Sequence, residues 1–212
     1  LPRLALPSRL TTHRSINEAT DLTTVEGMAT TRYVALLRGI NVGGRNKVAM
    51  ADLRDAFEAG GHTSVSTYIQ SGNVLFGSDR PARSLEGELE ALLEAQFGVP
   101  LVVVVRSHRQ LRNVVQQAPA GFGQHPDRFH SDAVFLKAPL TSRRAMGVVR
   151  LRDGVDRAWP GTGVVYFERL SERRTQSRLS SIMGTPEYQQ MTIRSWSTTT
   201  KLLGLLDAPA AG

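Results

Sequence analysis

The chain of 212 residues contains no cysteine, which excludes disulfides, thiolate zinc sites and a cysteine nucleophile together. A cysteine-free chain suits a reducing compartment, and a cytoplasmic location is the expectation. Aromatic residues are sparse, at 6%, so few are available as the stacking platforms that single-stranded nucleic acids use. Lysine is scarcer still. Of 26 basic residues only Lys47, Lys137 and Lys201 are lysine, and the rest are arginine. No apolar run approaches the ~20 residues that a membrane-crossing helix needs, so no membrane partner is expected. What is present is an ordinary hydrophobic fraction of 41%, enough for one sizeable core or two small ones.

Residues 1–27 have no sustained periodicity, and their arginines (Arg3, Arg9, Arg14) are balanced by Glu18, Asp21 and Glu26. They lack the apolar core of a signal peptide. The expectation is a disordered tail or an early start, with Met28 as the true first residue; 208–212 forms a second short tail. The net charge of +7 therefore falls on the residues between. It permits binding to phosphorylated ligands or nucleic acid, but the basic residues are scattered rather than blocked.

From Tyr33 onward, periodicity predicts a strand over 33–38, a helix near 50–60, a strand over 65–70, a turn at Ser71-Gly72-Asn73 and a returning strand at 74–76. A helix near 84–97 follows, with Leu85, Leu89, Leu92 and Leu93 inward and Glu86, Glu90 and Glu94 outward. Leu101 to Val105 form an apolar strand, and Ser107 opens another helix. This order is βαββαβ plus one helix, the split βαβ of a ferredoxin-like unit.

The order then recurs. A strand at 133–136, a helix at 141–151 and a hairpin of 155–159 with 163–168 around Pro160-Gly161 are expected. A helix over 171–183 ending at Gly184-Thr185-Pro186, a strand at 191–193 and a helix capped by Ser197 or Thr198 complete the set. Corresponding elements lie roughly 90–100 residues apart, which reads as a tandem duplication. The expected fold is α+β, with two ferredoxin-like halves (28–118 and 132–207) joined by a linker (119–131) and packed together. Packing together is expected because Tyr33–Leu37, Leu101–Val105 and Val164–Phe167 are apolar at every position, so both faces of those strands need cover.

The run Tyr33-Val-Ala-Leu-Leu-Arg-Gly-Ile-Asn-Val-Gly-Gly-Arg-Asn-Lys47, with Thr67-Tyr-Ile-Gln-Ser-Gly-Asn73, closely resembles the bacterial domain-of-unknown-function family numbered 1697. Met191-Thr-Ile-Arg-Ser-Trp-Ser-Thr-Thr-Thr-Lys-Leu202 is similar to that family's C-terminal signature. The chain departs from the pattern at Ala49, where proline is usual, and at Ser195 and Ser197, where asparagine is usual. The resemblance covers about 28–206 and implies a two-lobed α+β fold without an established activity.

Three junctions carry the candidate ligand-binding residues. Arg38 ends a strand, Asn41 suits a turn, Gly43 and Gly44 let backbone come close to a ligand, and Lys47 stands just before a helix start. An anion is the ligand that such a loop favours. Arg45-Asn46 stands where a Walker loop requires Lys and Ser/Thr, so the stretch is not a P-loop. Gln70, Ser71 and Asn73 sit at a hairpin tip, where plain turn chemistry explains them equally well. Arg194 and Lys201 flank a third junction, where capping with Trp196 in the core is the competing reading.

The functional expectation is a protein that binds an anionic small molecule, a nucleotide or phosphorylated metabolite. The alternative is a nucleic-acid-binding module using arginines such as Arg143, Arg144, Arg150 and Arg152. No catalytic residue and no cofactor is assigned. Metal ligation by His125, His130, Asp127 and Asp132 is not expected, because Pro126 prevents a regular helical pair and no third ligand is suitably spaced.

Overall fold

The computed structural model describes residues 30–41 and 46–209. The 1–27 tail, Gly43 and Gly44 lie outside the described residues. The elements are β1 (Thr31–Arg38), α1 (Met50–Ala59), β2 (Thr63–Tyr68), β3 (Asn73–Ser78), α2 (Ala82–Phe97), β4 (Val102–Ser107) and α3 (His108–Gln116). The chain continues through β5 (Phe129–Leu136), α4 (Ser142–Val148), β6 (Asp156–Gly161), β7 (Val164–Leu170), three short 3-10 helices over 171–190, β8 (Met191–Ser195) and α5 (Trp196–Asp207).

Two four-stranded antiparallel sheets result, ordered β2-β3-β1-β4 and β6-β7-β5-β8. The apolar strands are covered on both faces, as their composition requires. Tyr33, Ala35 and Leu37 pack with Leu53 and Phe57 of α1 and Leu85, Leu89 and Leu93 of α2. The alternate residues Val34 and Leu36 face a central layer. There they meet Leu111 of α3, Leu202 and Leu206 of α5, and Phe135 and Tyr166 of the second sheet. Val134, Val165 and Phe167 close a third layer against α4 and the 3-10 segment.

Local chemistry explains most boundaries. Ser107 and Gln110 form a capping box that starts α3. Gly98, with φ +67°, ends α2. Arg32 of β1 donates to the carbonyls of Leu205, Leu206 and Ala208, satisfying the C-terminus of α5 and holding Ala208, the start of the expected C-terminal tail.

Five expectations need correction. The segment 171–190 is not an α-helix. The Asp156 carboxylate takes the backbone N–H groups of Arg152 and Arg178 at 2.9 Å, diverting the donor that an α-helix would direct at residue 174. Serines in this segment add competing local bonds, as Ser177 does to Leu179 N. The β6–β7 turn lies at Thr162-Gly163, because Pro160 and Gly161 pair with Val165 and Val164. Pro160 is tolerated because β6 is an edge strand. α5 is capped by Ser195, which accepts from Thr198 N at 3.2 Å, rather than by Ser197 or Thr198. The strand β5 begins at Phe129, inside the expected linker, with the guanidinium of Arg157 stacked 4.3 Å over the Phe129 ring. Phe122, in the same segment, is buried among Trp159, Tyr166 and Trp196.

The fifth correction concerns α2. Glu86 is buried rather than solvated, and Glu86 Oε1 accepts from Val105 N at 3.0 Å. Glu90 Oε1 accepts from Val103 N at 2.9 Å. Four residues of helix advance about 6 Å and two residues of strand about 6.6 Å, so glutamates at i and i+4 reach alternate N–H groups of β4. The β4 edge of the first sheet is covered in this way.

Candidate functional site

The three sequence motifs meet, and the residue that joins them is Arg194. From β8 its buried guanidinium crosses to the end of the first sheet. Nε donates to Asn73 Oδ1 at 2.6 Å, and Nη2 reaches the carbonyls of Leu37 (2.7 Å), Ser71 (3.1 Å) and Gly72 (3.2 Å). Nη1 donates to Thr192 Oγ1 and the Ile193 carbonyl. Asn73 in turn donates to Ser71 Oγ at 2.9 Å and to the Tyr68 carbonyl. Burial pulls the Arg194 pKa down to about 10, which leaves it charged at neutral pH. Its charge is met by neutral oxygens, with no carboxylate at ion-pair distance among the described residues.

Arg38 also faces the second sheet. Its guanidinium stacks 4.6 Å over the Tyr188 ring, donates to the Tyr188 carbonyl and reaches Gln189 Oε1 at 2.8 Å. Arg38, Asn73 and Arg194, three of the polar residues that sequence reasoning nominated, therefore clamp one sheet to the other.

A cavity remains beside them. It is open to solvent, measures about 570 Å3 and is lined by Asn41, Lys47, Val48, Ala49, Asp52 and Gln70, among others. Asn41 builds its floor from a left-handed conformation (φ +54°). Its side chain exchanges two bonds of 2.9 Å with the backbone of Val48 and a third, of 3.2 Å, with the Gln70 carbonyl. Asn46 closes the loop by donating to the Gly39 carbonyl at 2.8 Å. One asparagine thus ties the exit of β1, the entry of α1 and the β2–β3 turn together. At that turn Ile69 is 49% exposed with φ +49°, an unusual conformation for a β-branched residue.

The α1 N-terminus opens on this cavity with no side-chain cap, since Ala49 occupies the N-cap position. Lys47 and Gln70 are exposed at its rim. Lys201 is exposed on α5 and does not line the cavity. Asn41, Lys47 and Gln70 thus come together at this cavity, while Ser71 serves the interlock.

Sequence reasoning missed Arg106. From β4 it donates to the carbonyls of Leu136 and Gly163, the latter at 3.0 Å. This mirrors Arg194, which takes Leu37 and Gly72. Leu37 N bonds Gly72 O at 2.8 Å, and Leu136 N bonds Gly163 O at 3.0 Å. Lys137, one residue beyond Leu136, crosses to Glu90 of α2 at 2.5 Å, as Arg38 crosses the other way. The available signal was a lone arginine closing the otherwise apolar run Val102-Val-Val-Val-Arg106. Of the arginines considered for nucleic acid, Arg144 is paired with Glu187.

The architecture defines an α+β protein of two like-ordered antiparallel sheets, bridged by crossing arginines, with a polar cavity at one strand-to-helix junction. Residues 30–166 match the family described as "Protein of unknown function (DUF1697)", and the chain belongs to that family. Among solved structures it is similar to the conserved bacterial protein SP0830 from Streptococcus pneumoniae. Identity is 27%, the match covers 84% of this chain and 99% of that one, and the TM-score is 0.72. Comparison with curated proteins finds no match. Among the described residues no helix is long and apolar enough to cross a membrane.

Proposed function

We propose that the chain is a tandem duplication of two ferredoxin-like halves, and that the first half binds an anionic small molecule, a nucleotide or phosphorylated metabolite, in the cavity between Asn41, Lys47 and Gln70. The observation that carries this reading is a difference between corresponding junctions. In the second half the chain passes from β5 to α4 through 137–141, and Thr141 caps the helix by accepting from Arg144 N. In the first half it takes the longer, glycine-containing path 39–49 to a helix start that no side chain caps. Free N–H groups at a helix N-terminus beside a lysine favour an anion. Lys47 and Gln70 would contact the ligand, Gly43 and Gly44 would offer backbone N–H groups, and Arg38, Ser71, Asn73 and Arg194 would hold the frame. The absence of cysteine suits a cytoplasmic setting.

Asp52 lines the same cavity, and its carboxylate opposes added negative charge. A thermal-shift series with nucleotides and sugar phosphates tests the reading, since a ligand at 100 times its Kd adds about 2.7 kcal/mol of stability. Lys47→Ala should remove most of the shift and Asp52→Asn should enlarge it. The reading fails if no phosphorylated probe stabilises the wild type, or if Lys47→Ala retains the full shift.

A further inference from the structure

A second cavity, of about 270 Å3, lies where Arg106 crosses between the sheets. No sequence motif marks it. On its wall stands Glu86, 7% exposed. Glu86 Oε1 accepts from Val105 N and lies 3.5 Å from Arg106 Nη1. Glu86 Oε2 has no hydrogen-bond partner among the described residues. Arg106 does little to complete the carboxylate, since its N–H groups are directed at the carbonyls of Val105, Leu136 and Gly163. Oε2 is therefore available to a donor that enters the cavity, and burial raises the carboxyl pKa.

The rest of the cavity sets what that donor is attached to. Val105, Leu136, Ala138 and Leu140 supply an aliphatic wall. Arg83 stands exposed on α2, without a side-chain partner among the described residues. Gln110 Oε1 is held by Ser107 N at 2.8 Å, which leaves its NH2 group free to donate. A carboxylate is complementary to that guanidinium and amide. The volume accommodates a molecule of amino-acid size.

We propose that this cavity binds a small aliphatic zwitterion of the amino-acid class, with its ammonium on Glu86 and its carboxylate toward Arg83 and Gln110. The site is independent of the loop cavity and stands or falls separately.

Isothermal titration calorimetry of the full chain with L-leucine, isoamylamine and 4-methylpentanoate tests the assignment. Isoamylamine lacks the carboxylate of leucine, and 4-methylpentanoate replaces its ammonium-bearing carbon with a methylene. Leucine should bind, and each truncated probe should bind at least about tenfold more weakly, the value of one charge-assisted hydrogen bond. Glu86→Gln keeps an acceptor for Val105 N and should weaken leucine about tenfold or more. Arg83→Ala, at an exposed helix position that leaves folding intact, should weaken it in the same direction. Lys47→Ala should leave leucine affinity unchanged. The proposal is overturned if leucine gives no binding heat at millimolar concentration, if isoamylamine binds as tightly as leucine, or if Arg83→Ala and Glu86→Gln both keep wild-type affinity.

Discussion

Arg194 Nε lies 2.6 Å from Asn73 Oδ1, and this bond joins residues 121 positions apart in sequence and in different sheets. Asn73 can accept there because its own NH2 group is fixed by Ser71 and Tyr68. The planar fork of Arg194 then satisfies carbonyls at the end of β1 and in the β2–β3 turn. Lysine offers no such fork.

Removing this fork should be among the most damaging single changes to the chain. Arg194→Ala leaves the Leu37 and Ser71 carbonyls and the Asn73 amide oxygen short of a donor, while the Gly72 carbonyl keeps Leu37 N. A loss of about 3–5 kcal/mol is expected, because each stranded polar group costs about 1–3 kcal/mol. Urea denaturation measures it. Arg194→Lys should recover less than half of the loss. A double-mutant cycle with Asn73→Ala should be non-additive, since the two side chains share one network.

Gly72 has φ +73°, and a Cβ there would stand 2.9 Å from Leu37 Cβ and 2.8 Å from Ile40 Cδ1. Gly72→Ala is expected to destabilise by about 1–3 kcal/mol through overpacking and backbone strain. Gly87 on α2 meets nothing within 4 Å. Gly87→Ala should stabilise by about 0.5–1 kcal/mol. Melting temperatures of the two variants should therefore move in opposite directions.

His62 is buried with Nδ1 unpartnered, its ring 4.9 Å from Phe76 and 5.8 Å from Phe57. Burial, reinforced by Arg80, lowers its pKa below the ordinary value. As pH falls, the unfolded chain takes up this proton before the folded one does. The contribution of His62 is therefore intact above about pH 7 and declines as pH drops below the unfolded value of about 6.5. Chemical denaturation between pH 7.5 and 5 should show the decline, and His62→Leu should flatten it. An equal slope in the variant would exclude His62 as its source.

Glu90 performs two tasks with one oxygen, accepting from Val103 N and pairing with Lys137. Glu90→Gln keeps the first and loses the ion pair, so a change below about 1 kcal/mol is expected. Glu90→Ala loses both and leaves an edge N–H unpaired, so a cost of about 1–3 kcal/mol is expected. Hydrogen exchange at the Val103 amide separates the cases. Protection should persist in the glutamine variant and fall in the alanine variant.

Side-chain periodicity made much of this fold legible. Tyr33–Leu37 and Val164–Phe167, apolar at every position, announce strands covered on both faces, and Ser107 with Gln110 announces a helix start. The loop around Asn41, Lys47 and Gln70 was legible too, because glycine and asparagine report local backbone need. The conformation of 171–190 was not. Its outcome depends on Asp156, a residue distant in sequence whose carboxylate claims the Arg178 N–H.

The sequence by itself determined where most strands and helices fall and which junctions are polar, because those follow from the spacing of apolar side chains and the local demands of turns. Only the tertiary structure decided what the charged residues at those junctions do. Arg38 and Arg194 read as anion ligands in sequence, yet in the folded chain Arg38 meets oxygens of the 3-10 segment that leads into β8, and Arg194 meets carbonyls at the end of β1 and in the β2–β3 turn. Glu86 read as part of a solvated helix face and Arg106 drew no attention in sequence, yet they stand together on the wall of a cavity between the sheets. A guanidinium satisfies whichever acceptors folding brings within its reach of a few ångströms, and spacing along one strand carries no record of which carbonyls from the other sheet will arrive there.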